Sequence, residues 1–405
     1  MLRFGTQEHS FIKLLSFRFL IVISYQITSV VVGWHIYGLT HDPLALGLIG
    51  LAEVIPYFAS ALFAGYAIDH FSRKMFGVAA SLLLTINALT LTAVSAGLTG
   101  GNPLFWLYGS IAVGGLARAF ISPSYSSLFA LILPREHYGR ASGIGSSAFQ
   151  LGLIAGPATG GILAGWAGTT AGYSVAALLC ICAAISLLSI RIEEPQAAEG
   201  APVFTSIAEG LRFVFSNQII LGAQSLDMFA VLFGGAVSML PAFIHDIFHY
   251  GPEGLGTLRA APAIGSLITG LYLARHPINL HAGRWLLTSV AGFGICIIAF
   301  ALSPDIWIAG LMLMLSGICD GVSVVMRTTI MQLSTPDAMR GRVSAINGIF
   351  IGSSNEIGAF ESGIAARLIG LVPSVIFGGI MTLAVVGATA KLAPKLRRLE
   401  LHQLY

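Results

Sequence analysis

Several charged side chains lie within long apolar stretches of the sequence, among them five at Glu53, Arg118, Asp227, Asp320 and Glu356. A charge at the centre of a bilayer costs at least about 3 kcal/mol, so such residues are usually paired or face water. A buried carboxylate can accept a proton in one state and release it in another when a cation moves beside it. These five residues are therefore candidates for proton coupling and charge switching.

The composition places these charges in a membrane protein. Of the 405 residues, 56% are apolar and 10% are charged, against roughly 25% charged residues in a soluble domain. The net charge of +3 comes without a long basic tract, so nucleic acid is not an expected partner. The four cysteines form no CxxC pair, and we expect neither a cofactor nor a metal.

Apolar runs long enough to cross a bilayer, about 20 residues, recur twelve times along the chain. We place transmembrane helices near 12–39, 43–68, 75–98, 104–133, 141–166, 170–191, 216–245, 253–275, 285–302, 305–333, 342–366 and 371–391. Most of the 21 Lys and Arg residues fall in connections on one side of this topology. Such segregation marks the cytoplasmic side, so both termini are expected there.

The chain also repeats itself with an offset of 202 residues, because the Pro-x4-Gly-Arg turn at 134–140 recurs at 336–342. The sequence therefore predicts an all-α membrane protein of twelve helices in two pseudo-symmetric six-helix bundles. The predicted domains are an N-terminal bundle (1–191), a cytoplasmic linker (192–217) and a C-terminal bundle (218–405). In the linker, Phe204, Ile207, Leu211 and Phe215 have the spacing of a helix on the inner membrane surface. Duplicated halves around a cavity suit alternating access.

The connection between the second and third helices carries a recognisable signature. It reads Gly65-Tyr-Ala-Ile-Asp69-His-Phe-Ser-Arg73-Lys74, which resembles the Gly-x-x-x-Asp-Arg-x-Gly-Arg-Arg/Lys loop of the major facilitator superfamily. His70 and Ser72 stand where that loop has Arg and Gly. The resemblance implies that Asp69 helps to hold a cytoplasmic gate closed in the outward-open state. An ordinary turn with cytoplasmic positive charges is the alternative.

The fifth helix carries a second signature, formed by Gly152, Gly156, Pro157, Gly160 and Gly161. It resembles the Gly-x-x-x-Gly-Pro-x-x-Gly-Gly motif of antiporters in the same superfamily. Small residues allow close helix contact, and proline removes one backbone hydrogen bond. The motif is thus either a pliable element or a close-packing face.

The turn from Pro336 to Val343 and the segment Gly210-Leu-Arg212-Phe are similar to one branch of this superfamily, which holds the enterobactin exporter and the macrolide efflux proteins. This resemblance implies export rather than uptake. The leading hypothesis is a proton-coupled exporter of a drug-like or siderophore-like molecule in the bacterial inner membrane, and the duplicated halves favour a monomer. The expected partners are a small-molecule substrate, protons and the lipid bilayer. No enzymatic activity is expected.

In that fold the first, fourth, seventh and tenth helices line the cavity, which places Arg118, Asp227 and Asp320 beside it. Asp227 is the first candidate for the coupling carboxylate and Asp320 the second. Arg118 lies 202 residues before Asp320 and is the expected switching partner. A permanent ion-pair network of Arg118, Asp320 and Arg327 is the alternative, and Glu53 is as easily a buried structural acid.

The predicted substrate cavity includes polar and aromatic side chains suited to an amphipathic molecule, namely Gln26, Trp34, Gln224, Phe229 and Asn347. A metal-ion exporter similar to ferroportin is the second hypothesis, with His35, His245, Asp246 and His249 as conceivable ligands. The last three residues fall at an outer helix end, where a solvated polar rim is the preferred explanation. A membrane-embedded enzyme or a channel is disfavoured, since the sequence contains no HExxH, Gly-x-Ser-x-Gly or repeated filter segment.

Overall fold

The computed structural model describes residues 6–192, 203–276, 278, 280–336 and 339–401. Its helices are α1 (Thr6–Thr40), α2 (Pro43–His70), α3 (Arg73–Ser95), α4 (Pro103–Ile132), α5 (Tyr138–Leu188), α6 (Val203–Ser216), α7 (Gln218–Phe233), α8 (Leu240–Ala242), α9 (Pro252–Arg275), α10 (Ala282–Ala301), α11 (Ile306–Ser334), α12 (Arg340–Ile369), α13 (Leu371–Leu392) and α14 (Pro394–Arg397). The 3-10 turns Arg135–His137 and Gly235–Met239 and the π-helical segment Phe243–Phe248 complete the set.

The helices account for the twelve predicted membrane spans. Within the described residues, nine helices are long and apolar enough to cross a membrane. One of them, α5, has 51 residues and contains two spans, while α9 with 24 residues and α12 with 30 supply the remaining two. The seventh span runs through α7, α8 and the π-helical segment, from Gln218 to Phe248. The prediction of a twelve-helix membrane protein is confirmed.

Local sequence explains where several of these helices begin and turn. Asn102 and Asn217 precede α4 and α7, and each side-chain oxygen accepts a hydrogen bond from a backbone N–H of the first turn. Gly168 divides α5 with φ of 80°, and Gly370 separates α12 from α13 with φ of 95°. Because glycine alone adopts such angles without strain, and these two positions are 202 residues apart, the repeat extends to the turn geometry.

The predicted linker helix is present as α6. Val214 is fully buried against Ile220, Met331, Val343 and Ile346, whereas Phe215 is exposed. The side chains of Phe204 and Ile207 lie outside the described residues. The helix is therefore confirmed, and its placement on the membrane surface stays a prediction.

Backbone contacts divide the chain into two units. The first comprises Met1–Thr40, Ala52–Gly200 and Tyr250–Ala260, and the second comprises His41–Leu51, Ala201–His249 and Ala261–Tyr405. The first turns of α2 thus belong to the second unit and the first turns of α9 to the first, whereas the rest of each helix belongs to the other unit. The predicted boundaries at 191 and 217 stay a prediction.

The first unit is built around α1, which packs along α5 and α4. Its core contains apolar side chains from α1, α3, α4 and α5, among them Leu14, Phe17, Leu128, Ala183 and Leu187, none of which is exposed. The second unit buries Leu226, Leu286, Ile330 and Leu396 between α7, α10, α11 and α14. The two cores include α4, which carries Arg118, and α7 and α11, which carry Asp227, Asp320 and Arg327.

Candidate transport site

Three polar side chains meet inside the first unit, on three different helices. Arg118 on α4 lies 2.8 Å from Glu53 on α2, between Nη1 and Oε1. Tyr25 on α1 donates a hydrogen bond of 2.7 Å to the same Glu53 oxygen and accepts one of 2.6 Å from Arg118. The guanidinium also lies 5.0 Å from the ring centre of Tyr57. We call Tyr25, Glu53 and Arg118 the charge cluster.

A close contact between α2 and α4 makes this pairing possible. A Cβ atom at Gly115 would overlap the carbonyl oxygen of Glu53, so only glycine permits the observed approach. Gly115 is one helical turn from Arg118 on α4. The Gly115 contact therefore holds the Glu53 backbone where its carboxylate reaches the guanidinium.

The charge cluster borders a cavity of about 250 Å³ in the first unit. Tyr25, Gln26, Arg118, Ser122 and Phe149 line it together with Ile21, Val22, Leu84, Ile121 and Leu153. Arg118 keeps 26% of its side chain exposed, whereas Glu53 keeps 10%. The cavity thus offers one cation, a few polar groups and aromatic faces to a bound molecule, as amphipathic ligands require.

The second unit contains a more deeply enclosed ion pair. Arg327 on α11 pairs with Asp227 on α7, and their side chains are only 6% and 9% exposed. Gln224, one turn before Asp227, is buried and donates to the sulfur of Met331 at 3.6 Å. This pair is packed within the unit, where a separated charge would be costly.

Arg118 makes an ion pair with Glu53 within the first unit, and its expected pairing with the repeat mate Asp320 stays a prediction. Asp320 is half-buried on α11 and forms no hydrogen bond or ion pair with any other described residue. Arg327 pairs with Asp227, and the alternative network of Arg118, Asp320 and Arg327 stays a hypothesis. Glu356 is half-buried on α12. The coupling roles of these residues stay predictions.

The loop signature between α2 and α3 is described in part. The surroundings of Gly65 and the side chain of Asp69 lie outside the part of the chain that the structure describes. Arg73 and Lys74 are half-buried, and Lys74 donates a hydrogen bond of 2.7 Å to the carbonyl of Ile190. Ser72 caps α3 by accepting from the Met75 N–H at 3.2 Å. The gating role of this loop therefore stays a prediction.

The glycines of the antiporter-like motif lie where α5 touches its neighbours. A Cβ atom at Gly152 would come within 2.6 Å of Val22, and one at Gly156 within 2.5 Å of the Cβ of Gln26. Gly160 faces the backbone of Ile27, and Gly161 faces Gly256. Pro157 lies inside the helix, and its carbonyl is also close to Gly256. This arrangement favours the close-packing interpretation of the motif.

The predicted cavity residues differ in their surroundings. Gln26 lines the 250 Å³ cavity beside Arg118. Gln224 is buried in the second unit, Phe229 is 40% exposed, and Trp34 and Asn347 are partly buried. The structure therefore brings Gln26 and Arg118 together in one cavity and places Gln224 beside the Asp227 pair.

Sequence reasoning missed Tyr25 and Phe149, which border the cavity. One signal could have found Tyr25, because it stands 202 residues before Asp227, at the matching position of the first helix in its half. No comparable repeat mate marks Phe149, whose ring lies 5.1 Å from the Arg18 guanidinium.

The chain has twelve spans in two repeated halves, and an ion pair lies at the wall of a cavity. This combination is typical of a polytopic membrane transporter. A model of the Major Facilitator Superfamily matches residues 14–359. The protein belongs to this superfamily and is a secondary active transporter of the major facilitator type.

Known relatives agree with this assignment. The chain is 26% identical to the "Multidrug efflux pump Tap" of Mycolicibacterium fortuitum, with 93% of each chain covered. It is 24% identical to the "Enterobactin exporter EntS" of Citrobacter koseri, over 81% of this chain and 78% of the relative. These relatives are named as transporters rather than enzymes.

Solved structures share the fold at low identity. An inward-facing bacterial homologue of the lysosomal transporter Spinster matches with a TM-score of 0.74 and 15% identity, covering 98% of this chain and 97% of the other. A D-xylose-proton symporter matches with a TM-score of 0.74 and 14% identity, covering 96% and 99%. This likeness confirms the fold alone.

Proposed function

We propose that this protein exports an amphipathic molecule of the drug or siderophore class, in exchange for protons, across a bacterial inner membrane. The observation that carries the proposal is the charge cluster at the wall of the aromatic cavity in the first unit. The names of the relatives support export as the direction. The segregation of Lys and Arg supports cytoplasmic termini, and the two halves in one chain support a monomer as the transporting unit.

Glu53 is our first candidate for the coupling carboxylate, ahead of Asp227. Glu53 pairs with an arginine that faces the cavity, so substrate or water can reach the pair. A proton arriving on Glu53 would leave Arg118 without its countercharge and weaken both hydrogen bonds to the carboxylate oxygen. The freed guanidinium could then bind a polar group of the substrate or turn toward Tyr25 and Tyr57.

Asp227 has a less accessible partner. Both members of the Asp227–Arg327 pair are enclosed by packing, which suits a fixed structural pair. Asp320 keeps its place as a second coupling candidate because it has no ion pair among the described residues. The cytoplasmic gate assigned to Asp69, Arg73 and Lys74 is part of the same proposal.

The test is a transport assay on the full chain in an efflux-deficient host. Cells overproducing the wild type should accumulate less of at least one compound from a panel of cationic drugs and catecholate siderophores, and a proton-gradient uncoupler should abolish the difference. Glu53→Gln should also abolish it at equal membrane abundance. Glu136→Gln, which neutralises an exposed carboxylate outside the spans, should leave export unchanged.

Unchanged, uncoupler-sensitive export by Glu53→Gln would remove Glu53 from the coupling step. In that case Asp227→Asn and Asp320→Asn decide between the other carboxylates. Uptake rather than export of every transported compound would overturn the proposed direction.

A further inference from the structure

Three potential metal ligands from two distant parts of the sequence converge in the second unit. His41 lies in the short connection between α1 and α2, and His245 and Asp246 belong to the π-helical segment at the end of the seventh span. One ligand atom from each residue lies within 4.8 Å of the other two. We propose that His41, His245 and Asp246 bind a divalent transition-metal ion of the Zn²⁺ class.

The geometry of the three side chains supports this site. The His41 and His245 rings lie 5.0 Å apart between their centres. Nδ1 of His245 lies 2.7 Å from Oδ1 of Asp246. In a tetrahedral zinc site with bonds of about 2.0–2.2 Å, ligand atoms are about 3.4 Å apart. The ligand atoms all lie within 4.8 Å of one another, so approaches of at most about 1.4 Å and an opening of the His245–Asp246 contact by about 0.7 Å give this spacing.

The conformation of the backbone helps to hold these residues in place. His41 adopts a left-handed conformation with φ of 47°, and His249, which ends the π-helical segment, has φ of 55°. Nδ1 of His249 lies 3.1 Å from the carbonyl oxygen of His245. The segment is thus fixed on one side by His249, while the His245 and Asp246 side chains point toward His41.

The donor set selects the class of metal. Two imidazoles and one carboxylate suit Zn²⁺, Cu²⁺ and Ni²⁺ better than Mg²⁺ or Ca²⁺, which prefer oxygen ligands. Three protein ligands leave a fourth position for water, so the ion would be exchangeable. One cation, Arg367, lies near the site. Its Nη1 atom is 3.4 Å from the carboxylate of Asp42, which partly neutralises its charge.

The site differs in place and chemistry from the transport cavity of the first unit. His245 and Asp246 keep 43% of their side chains exposed, and the predicted topology puts them on the outer face. A bound ion would clamp the α1–α2 connection to the end of the seventh span. The ion is therefore a resident ligand of the fold and not the exported substrate.

The experiment titrates Zn²⁺ alone into the purified full chain, stripped of metal and free of a polyhistidine tag. We expect saturable binding of one equivalent and a rise in unfolding temperature with added Zn²⁺. His41→Asn and Asp246→Asn should each weaken binding about tenfold or more. His281→Asn is the matched control, because it removes an exposed imidazole outside the site, at another left-handed position where asparagine is tolerated.

Cu²⁺ binding followed by electron paramagnetic resonance supplies an independent readout. The wild type should show coupling to two imidazole nitrogens, and His245→Gln should show one fewer. The proposal fails if the wild type binds no Zn²⁺ above the buffer blank. It fails equally if His281→Asn weakens binding as much as His41→Asn, or if the variants at 41, 245 and 246 bind like the wild type.

Discussion

Neutralising Glu53 tests the charge cluster most directly. In the wild type its Oε1 atom accepts from Tyr25 at 2.7 Å and lies 2.8 Å from the Arg118 guanidinium. Glu53→Gln keeps an acceptor oxygen of similar shape but removes the negative charge. Arg118 then loses the Glu53 charge while only 26% of its side chain is exposed to water.

The magnitude follows from that partial burial. Removing one partner of a fully buried ion pair costs about 3–5 kcal/mol, whereas an exposed pair contributes about 0–1 kcal/mol. Arg118 lies between these limits and keeps its contacts with the Tyr25 and Tyr57 rings. We therefore expect Glu53→Gln to destabilise the protein by about 2 kcal/mol.

The assay is a double-mutant cycle of Glu53→Gln and Arg118→Gln, measured by reversible unfolding in mixed micelles. The coupling energy between the two sites should be about 2 kcal/mol, because each single variant removes the same ion pair. Glu136→Gln, at an exposed position, should change stability by less than about 0.5 kcal/mol. Additive effects at Glu53 and Arg118, within about 0.5 kcal/mol, would refute the pairing.

Three further predictions concern packing and capping, all measured as changes in unfolding free energy. Gly115→Ala should cost about 1–3 kcal/mol because its Cβ overlaps the Glu53 carbonyl, while Gly109→Ala, with nothing within 4 Å, should be neutral or slightly stabilising. Gly156→Ala should also cost about 1–3 kcal/mol through its contact with α1, and Gly143→Ala, in open space on the same helix, is its control. Asp305→Ala should cost about 1 kcal/mol, since the Asp305 side chain accepts from two backbone N–H groups at the start of α11; an unchanged stability would contradict that capping role.

The helices could be predicted from the sequence because a bilayer demands a fixed apolar length. The repeat could be predicted as well, since Pro-x4-Gly-Arg recurs at a constant offset. The same offset correctly relates Gly168 to Gly370, where the chain turns with positive φ. These features depend on local chemistry, which each stretch of sequence carries by itself.

The partners of the intramembrane charges could not be predicted in the same way. Arg118 pairs with Glu53 because α2 approaches α4 closely at Gly115. This contact depends on how the helices are rotated and on side-chain rotamers. The repeat places Asp320 at the position that matches Arg118, but a repeat relates positions and not rotamers, so it could not reveal Glu53 as a partner. For the same reason, His41 was not recognised beside His245, although both histidines are visible in the sequence.

The two arginine contacts show what the duplication kept and what it changed. In each half an arginine from the fourth span contacts position 25 or its mate 227 on the first span, yet the residue is tyrosine in one half and aspartate in the other. Arg327 stands seven residues beyond the mate of Arg118, about two helical turns along the span. The acid therefore comes from the first span itself in the second unit, and from α2 in the first unit, where Tyr25 bridges the pair. An ion pair that is enclosed by packing resists separation. In the pair that Tyr25 bridges beside a cavity, the Arg118 guanidinium can replace its contact with the carboxylate by a contact with the tyrosine hydroxyl at small cost. If the coupling step needs a pair that opens, Glu53→Gln should impair proton exchange more than Asp227→Asn at equal folded protein, and the reverse order would place the coupling step in the second unit.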